Sequence, residues 1–186
     1  MSQNTNSQGF QLKTQYPLYL ANKAVETTSW LEVTDKYSNQ VVSRVAQADA
    51  KILDQAIAAA VQAEKAMAAL KPFEKQEILL HCVKRFKERS DELAQILVIE
   101  GGKPLGSAKA EVLRLISTFQ LAADAVTQLN QGVVMPLAVT EAAANYRGMT
   151  QRVPVGAVSL ISPFNFPLNL TAHKIAPAIV AGCPFV

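Results

Sequence analysis

Residues 156–167 read Gly-Ala-Val-Ser-Leu-Ile-Ser-Pro-Phe-Asn-Phe-Pro, an apolar run that passes into a loop closed by proline. Residues 158–161 predict a buried strand without polar and apolar alternation, which is typical of parallel sheets. Residues 168–181 predict a helix that Gly182 ends, and residues 184–186 begin another apolar strand. Strand, loop, helix and strand in this order make a βαβ unit, so this part of the chain predicts an α/β fold.

The loop between the predicted strand and helix carries one primary amide, Asn165, between Phe164 and Phe166. Asparagine readily caps a following helix, and from spacing alone a capping role and a ligand-binding role both stay open. An uncharged amide NH2 can also donate to an oxygen that gains negative charge during a reaction. The carboxyl end of a parallel strand, facing a helix N-terminus, is where α/β folds bind ligands. The location therefore favours an oxyanion donor.

The chain ahead of this unit is predicted to be mainly helical. Asp49 offers an N-cap to a first helix, a second helix is predicted over residues 73–100, and a third from about 107 to 132. Residues 16–45 mix β-branched and aromatic residues with turn residues, which predicts short strands in hairpins. Residues 136–155 are predicted to form an extended arm.

Composition and charge exclude several classes of function. The 186 residues carry a formal net charge of +3 without a basic cluster, so no nucleic-acid binding is predicted. Residues 153–172 contain no charged side chain, but prolines and asparagines interrupt them, so no membrane segment is predicted. The two cysteines lack metal-ligand spacing, which indicates a reducing cytoplasm and no metal site. The polar residues 1–15 predict a disordered leader.

One histidine and one cysteine near the end of the chain are predicted to have no catalytic role. His173 has no acidic residue close in sequence, so we expect it to line a pocket and not to move a proton. Cys183 has no basic neighbour in sequence and opens a predicted buried strand, where a thiol is normally inert. Neither residue is therefore predicted to be a catalytic base or nucleophile.

Four segments, in this order, resemble the N-terminal portion of the aldehyde dehydrogenase superfamily. They are residues 54–60, Glu-Gly-Gly-Lys-Pro at 100–104, residues 153–158 leading into Ser-Pro-Phe-Asn-Phe-Pro-Leu at 162–168, and Ala-Pro-Ala-Ile-Val-Ala-Gly at 176–182. The last two are highly specific together, and the resemblance extends from about Tyr16 to the end. The superfamily more often has tryptophan where Phe164 stands, which is a conservative difference.

The resemblance implies a role for each residue of the loop. Asn165 would be the oxyanion-hole asparagine. Four residues would border the nicotinamide of NAD or NADP: Ile161, Ser162, Pro163 and Phe164. Three more would line the wall of the substrate tunnel: Phe166, Leu170 and His173. The nucleophilic cysteine and the general-base glutamate of the superfamily would lie beyond Val186.

The resemblance also implies how the chain is organised. Residues 16–135 would be the N-terminal helical part of the cofactor-binding domain, with short strands. Residues 136–155 would be an oligomerisation arm, and residues 156–186 the first, incomplete βαβ unit of a Rossmann-like parallel sheet. We expect the chain to be the front part of a longer protein that forms a homo-oligomer, a dimer or a tetramer.

The implied activity is the NAD(P)-dependent oxidation of an aldehyde to a carboxylic acid through a cysteine thiohemiacetal. Two alternatives stay open. A related enzyme would pass the acyl group to coenzyme A instead of water, and a non-catalytic module would pair with other chains through the arm. The 186-residue chain alone is predicted to be inactive, because the nucleophile and the base would be missing from it.

Overall fold

The computed structural model describes residues 12–129 and 131–186 of the chain. Its N-terminal part contains a three-stranded sheet made of β1 (Gln15–Tyr16), β4 (Trp30–Thr34) and β5 (Val41–Ala46). Strand β5 lies in the middle, parallel to β1 and antiparallel to β4. The short strands expected in this part of the chain are therefore present, although one of the pairings is parallel.

A separate antiparallel hairpin joins β2 (Leu18–Leu20) to β3 (Lys23–Val25). Its turn residues Ala21 and Asn22 both have positive φ, at 47° and 62°, as the tightest hairpin turns require. Most of the predicted leader, at residues 1–11, lies outside the residues that the structure describes. At its end the prediction of disorder is wrong, because Gln15 belongs to β1 and Thr14 O accepts from the N–H of Arg44 at 3.0 Å.

Four helices follow the N-terminal strands: α1 (Ala50–Ala69), α2 (Pro72–Glu88), α3 (Ser90–Gly101) and α4 (Leu105–Leu129). Asp49 caps α1 as predicted, because its carboxylate accepts a hydrogen bond from the backbone N–H of Ile52 at 2.8 Å. Pro72 occupies the first turn of α2, where its missing N–H costs nothing.

The prediction of one helix over residues 73–100 is wrong at Arg89. That residue leaves the helical conformation, with φ −106° and ψ 19°, and separates α2 from α3. The break lets α3 turn its apolar face, including Ala94 and Leu97, onto α4. Apolar periodicity continues through the break and hides it, although Arg85 and Lys87 in the last turn of α2 and Asp91 and Glu92 in the first turn of α3 are signals for the end and the start of a helix.

The core lies where α2 and α4 pack against α5 (Pro167–Ala181). Helix α3 joins this core through α4, and the most deeply buried apolar side chains come from these four helices: Leu79, Leu97, Val112, Val126 and Val180. Phe86 and Phe119 meet edge to face, with ring centroids 5.0 Å apart. This packing fixes the axis of α5, the helix that follows Asn165.

The C-terminal residues form the predicted βαβ unit and confirm the α/β fold class. The backbone N–H of Val158 donates to Pro184 O at 2.9 Å, and that of Leu160 donates to Val186 O at 2.8 Å. These bonds make a parallel pairing, with α5 as the connection between its two strands. Gly182 ends α5 in the left-handed conformation, as predicted.

A second antiparallel hairpin starts just before the predicted extended arm of residues 136–155 and continues into it. Strands β6 (Val134–Pro136) and β7 (Arg147–Met149) pair with each other, and a 3-10 turn at Glu141–Ala143 lies between them. Both faces of this hairpin expose apolar side chains.

Candidate functional site

The loop that carries Asn165 leaves the carboxyl end of the parallel pairing between residues 158–160 and 184–186. Its apolar side chains point outward, since Ile161 is 82% exposed and Phe164 is 93% exposed. The predicted buried strand over residues 158–161 is therefore wrong: Val158 and Leu160 are half-buried, Ser159 and Ile161 are exposed, and the pairing reaches only to Leu160. The result is an open apolar surface on both sides of Ser162 and Pro163.

The side chain of Asn165 is exposed, and its carboxamide makes no hydrogen bond within residues 12–129 and 131–186. Helix α5 begins at Pro167, and the residue in the N-cap position is Phe166, which provides no side-chain cap. Of the two roles that the sequence left open for Asn165, capping of the next helix is thus not realised. Its NH2 group remains available to a ligand.

The N-terminus of α5 is capped from another helix by Glu111 of α4. Oε1 of Glu111 accepts hydrogen bonds from the backbone N–H groups of Leu168 at 3.0 Å and Asn169 at 3.3 Å. These are two of the four N–H groups that a helix start leaves without an intrahelical partner. The negative carboxylate also lies at the positive end of the helix dipole, which stabilises both.

The second oxygen of Glu111 forms an ion pair with the ammonium group of Lys103. The Glu111 side chain is 0% exposed and that of Lys103 is 16% exposed, so water screens the pair weakly. A buried carboxylate without such partners would be strongly destabilising. Both carboxylate oxygens of Glu111 therefore have partners: Oε1 accepts from the two N–H groups that start α5, and Oε2 pairs with Lys103.

Phe166, predicted to line the substrate tunnel, has two cationic side chains near its ring. The ammonium nitrogen of Lys103 lies 4.0 Å from the centre of its ring, and the guanidinium carbon of Arg114 lies 5.9 Å from it. Both distances fall within the range of a cation–π interaction. The structure thus places Phe166 beside Asn165 and connects it to the same lysine as Glu111.

The other two predicted tunnel residues follow along α5. Leu170 is half-buried, and its N–H donates to Phe166 O at 2.9 Å. His173 lines a shallow apolar pocket between α4 and α5, together with Leu121, Ala122, Ala176 and Pro177. Leu170 and His173 thus lie on α5 and Phe166 lies at its N-cap. Asn165 does not line the pocket, and the described residues do not enclose a cleft in front of its amide.

Two further charged side chains form hydrogen bonds at the start of the first strand of the βαβ unit and at the C-terminus of α5. Oε1 of Glu64 accepts from the N–H of Ala157 at 3.0 Å, at the start of the first strand. The buried Lys75 donates from Nζ to Val180 O at 3.2 Å, at the C-terminus of α5. An ammonium group at this end of a helix compensates the negative end of its dipole.

Neither cysteine has the surroundings of a nucleophile. Burial raises the pKa of the Cys82 thiol, which disfavours the reactive thiolate. Cys183 is buried at the far end of α5 from Asn165, and the 15 residues of that helix span on the order of 20 Å. The structural role assigned to Cys183 from the sequence agrees with this position.

Sequence reasoning missed Glu111, although a signal for it exists. Glu111 lies in register with Ala108 and Leu115 on the buried face of α4. A carboxylate on an apolar helix face is expected to be paired or hydrogen-bonded in the folded protein. The partners could not be predicted, since Leu168 and Asn169 are 57 and 58 residues away in sequence.

Two features of the described chain bear on other classes of site. Among the residues that the structure describes, no three His, Cys, Asp or Glu side chains are grouped so that they could hold a metal ion. None of the helices in that part of the chain combines the length and the apolar character needed to cross a membrane.

Comparison with known proteins assigns a family. The model of the aldehyde dehydrogenase family matches residues 23–186. Lactaldehyde dehydrogenase of Methanocaldococcus jannaschii is 40% identical over 152 residues, which cover 82% of this chain and 31% of that protein. Both the length of the match and its identity exceed what a shared fold alone would give.

Solved structures agree with the sequence match. The structure of aldehyde dehydrogenase 21 from Physcomitrella patens, in complex with the reaction product succinate, superimposes with a TM-score of 0.90 at 44% identity and covers 94% of this chain and 36% of that one. Glyceraldehyde-3-phosphate dehydrogenase of Methanocaldococcus jannaschii, complexed with NADP, gives a TM-score of 0.77 at 38% identity over 84% of this chain and 33% of that one.

The chain spans about a third of the length of the relatives that it matches. Within that third, the family model covers nearly all of the described residues, including the parallel pairing, α5 and the Asn165 loop. The chain belongs to the aldehyde dehydrogenase family.

Proposed function

We propose that, in a protein of its relatives' length, this chain takes part in the NAD(P)-dependent oxidation of an aldehyde to a carboxylic acid. The exposed Asn165 amide, without a partner among the described residues, carries the proposal. It lies on a loop anchored at the carboxyl end of a parallel strand, where α/β folds bind ligands. The relatives named above, a lactaldehyde dehydrogenase and an NADP complex among them, support the substrate class and the cofactor.

In this proposal the Asn165 NH2 group donates to the aldehyde oxygen as a thiolate from outside this chain adds to the carbonyl carbon. An uncharged donor stabilises the negative oxygen without adding an ion that must be desolvated in the ground state. The nicotinamide, when bound, would supply the oxidation by taking the hydride from the former carbonyl carbon, and water would then cleave the thioester to release the acid and the thiol. The surrounding residues Ile161, Ser162, Pro163 and Phe164 fit its flat ring, because two of them present exposed apolar side chains.

We expect Asn165→Ala, in the whole protein, to lower kcat for aldehyde oxidation by about 10²–10³-fold, as the loss of an oxyanion donor does elsewhere. Production of the reduced nicotinamide is measured at saturating aldehyde and cofactor. Gln55→Ala, which removes an exposed amide from α1, is the matched control and should leave kcat unchanged. An Asn165→Ala enzyme with the wild-type kcat would exclude the proposed role.

The isolated 186-residue chain is expected to give no reduced nicotinamide in the same assay. Within the described residues its only thiols are the half-buried Cys82 and the buried Cys183. Assays of the whole protein with and without coenzyme A separate hydrolysis from acyl transfer: an acyl-coenzyme A product would replace the proposed reaction by the acylating alternative.

We also propose that the whole protein is a homo-oligomer whose chains meet through the β6–β7 hairpin. A two-stranded hairpin is marginally stable by itself, and its free edges favour pairing with another chain. Exposed apolar side chains on this hairpin support the proposal, among them Val134 and Met149. A location in the cytoplasm remains a prediction from the two free thiols.

A further inference from the structure

The ring of Phe166 and the backbone N–H groups of Leu168 and Asn169, all shortly after Asn165, contact charged groups from one place in the helical part of the chain. The ring of Phe166 packs over the ammonium nitrogen of Lys103 at 4.0 Å. The N–H groups of Leu168 and Asn169 both donate to Oε1 of Glu111. Lys103 and Glu111 are themselves joined by an ion pair.

From this arrangement we infer that Glu111, held by Lys103, is a positioning residue that sets the direction of the Asn165 carboxamide. The inference rests on the proposed function of Asn165. Glu111 accepts hydrogen bonds from the N–H groups at the start of α5, which the Asn165 side chain could otherwise cap. It thereby keeps the Asn165 amide out of local hydrogen bonds and fixes the backbone three and four residues beyond it.

The burial of the pair makes this positioning stiff. Glu111 is fully buried in the core face of α4, whose axis is fixed by apolar packing on α2 and α5. Charge-assisted hydrogen bonds from a rigid acceptor are stronger and better directed than neutral ones. A shift of about 1 Å in a group that contacts the reacting atoms is enough to reduce a rate by up to about 10²-fold.

Glu111→Gln is the direct test in the whole protein. The glutamine keeps an oxygen for the two N–H groups but places its NH2 group against the Lys103 ammonium, so the side chain must move. We expect kcat to fall roughly 10- to 100-fold. Thermal unfolding of each variant is measured alongside. If Glu111→Gln does not fold, Glu111→Asp replaces it, because it keeps the charge and shortens the reach by one methylene.

A double-mutant cycle with Asn165→Ala distinguishes positioning from a general structural role. If Glu111 acts through Asn165, Glu111→Gln should cost less than about twofold in an Asn165→Ala background. The matched control is Glu64→Gln, which removes a carboxylate from the N–H of Ala157 at the other end of the strand. Any loss that it causes should be the same in both backgrounds.

The possible outcomes separate the inference from the function on which it rests. Equal losses for Glu111→Gln in both backgrounds, or no loss in either, would overturn the positioning role while leaving Asn165 as the oxyanion donor. A wild-type kcat for Asn165→Ala would overturn the proposed function and the inference together. A large loss in the wild-type background that disappears with Asn165→Ala supports both.

Discussion

Gly182 has the left-handed conformation at the end of α5, with φ of 78°. A Cβ at this position would lie 2.9 Å from Nζ of Lys75 and 3.3 Å from Met67 O. We expect Gly182→Ala to lower the free energy of unfolding by at least about 1–2 kcal/mol, since an L side chain disfavours this conformation even where space is available. Urea unfolding of the chain at neutral pH measures the change.

Gly106→Ala is the matched control for Gly182→Ala. Gly106 lies in the first turn of α4, and a Cβ there would meet nothing within 4 Å. Alanine should leave the stability unchanged or raise it by about 0.4–1 kcal/mol, because it restricts the unfolded chain. Similar destabilisation by the two variants would contradict the conformational argument at Gly182.

At the scale of residues, the position of Asn165 could be predicted, but its role could not be chosen from spacing. The motif places an amide before a helix whether that amide caps the helix or donates to a ligand. The choice depends on whether another group caps that helix, and the capping group, Glu111, belongs to α4. Long-range hydrogen bonds of this kind leave no local pattern, so the sequence could point to the site without resolving the hydrogen bonds that hold it.

At the scale of elements, α1 and α5 were predicted correctly and the break between α2 and α3 was missed. Asp49 and Gly182 are local signals whose effect depends on their own neighbours in sequence. The signals around Arg89 are weaker: Asp91 and Glu92 in the first turn of α3 follow it, but the apolar periodicity does not stop there. The packing of α3 on α4 is a tertiary interaction that accompanies the bend.

The first turn of α3 contains an ion pair that makes stability depend on pH. Nε of Arg89 donates to Oε2 of Glu92 at 2.7 Å, and a second guanidinium nitrogen donates to Oε1 at 2.6 Å. These hydrogen bonds from Arg89 hold the pKa of Glu92 below its ordinary value. A carboxyl whose pKa is lower in the folded state stabilises the fold above its unfolded pKa, and that contribution is lost as the pH falls through the folded pKa.

We therefore expect Glu92→Gln to lower the free energy of unfolding at pH 7 by less than about 1 kcal/mol, because both partners are partly exposed. The difference from the wild type should shrink as the pH falls below about 4.3, the pKa of an unperturbed glutamate. Urea unfolding across this range measures it. Glu77→Gln, which changes an exposed carboxylate on α2, should show no such trend. A pH-independent difference for Glu92→Gln would contradict the assignment.

At the scale of the whole molecule, the parallel pairing of residues 158–160 with 184–186 was predictable from two apolar runs separated by a helix. The burial of those apolar runs was predicted only in part. Ile161 and Phe164 remain on the surface, although their apolar character alone suggests a core. Exposed apolar residues next to an unpartnered amide are what a binding surface requires, so this mismatch itself points to the site.

The β6–β7 hairpin offers the last prediction, which concerns assembly. Val134 and Met149 are directly paired across the two strands, and they are 65% and 75% exposed. Covering such a pair by another copy of the hairpin would remove apolar surface from water at both chains. We expect the whole protein to have a mass that is a multiple of one chain in light scattering, and the variant Val134→Asp/Met149→Asp to have the mass of one chain.

Tyr37→Asp provides the control for this variant, because Tyr37 is 99% exposed in a turn far in sequence from the hairpin. It adds the same kind of charge at an exposed apolar site and should leave the mass unchanged. Like charges directly opposite each other also weaken a strand pair, so circular dichroism is needed to verify that the variant chain remains folded. A wild-type protein with the mass of one chain, or a folded double variant that still assembles, would show that the hairpin is not the contact between chains.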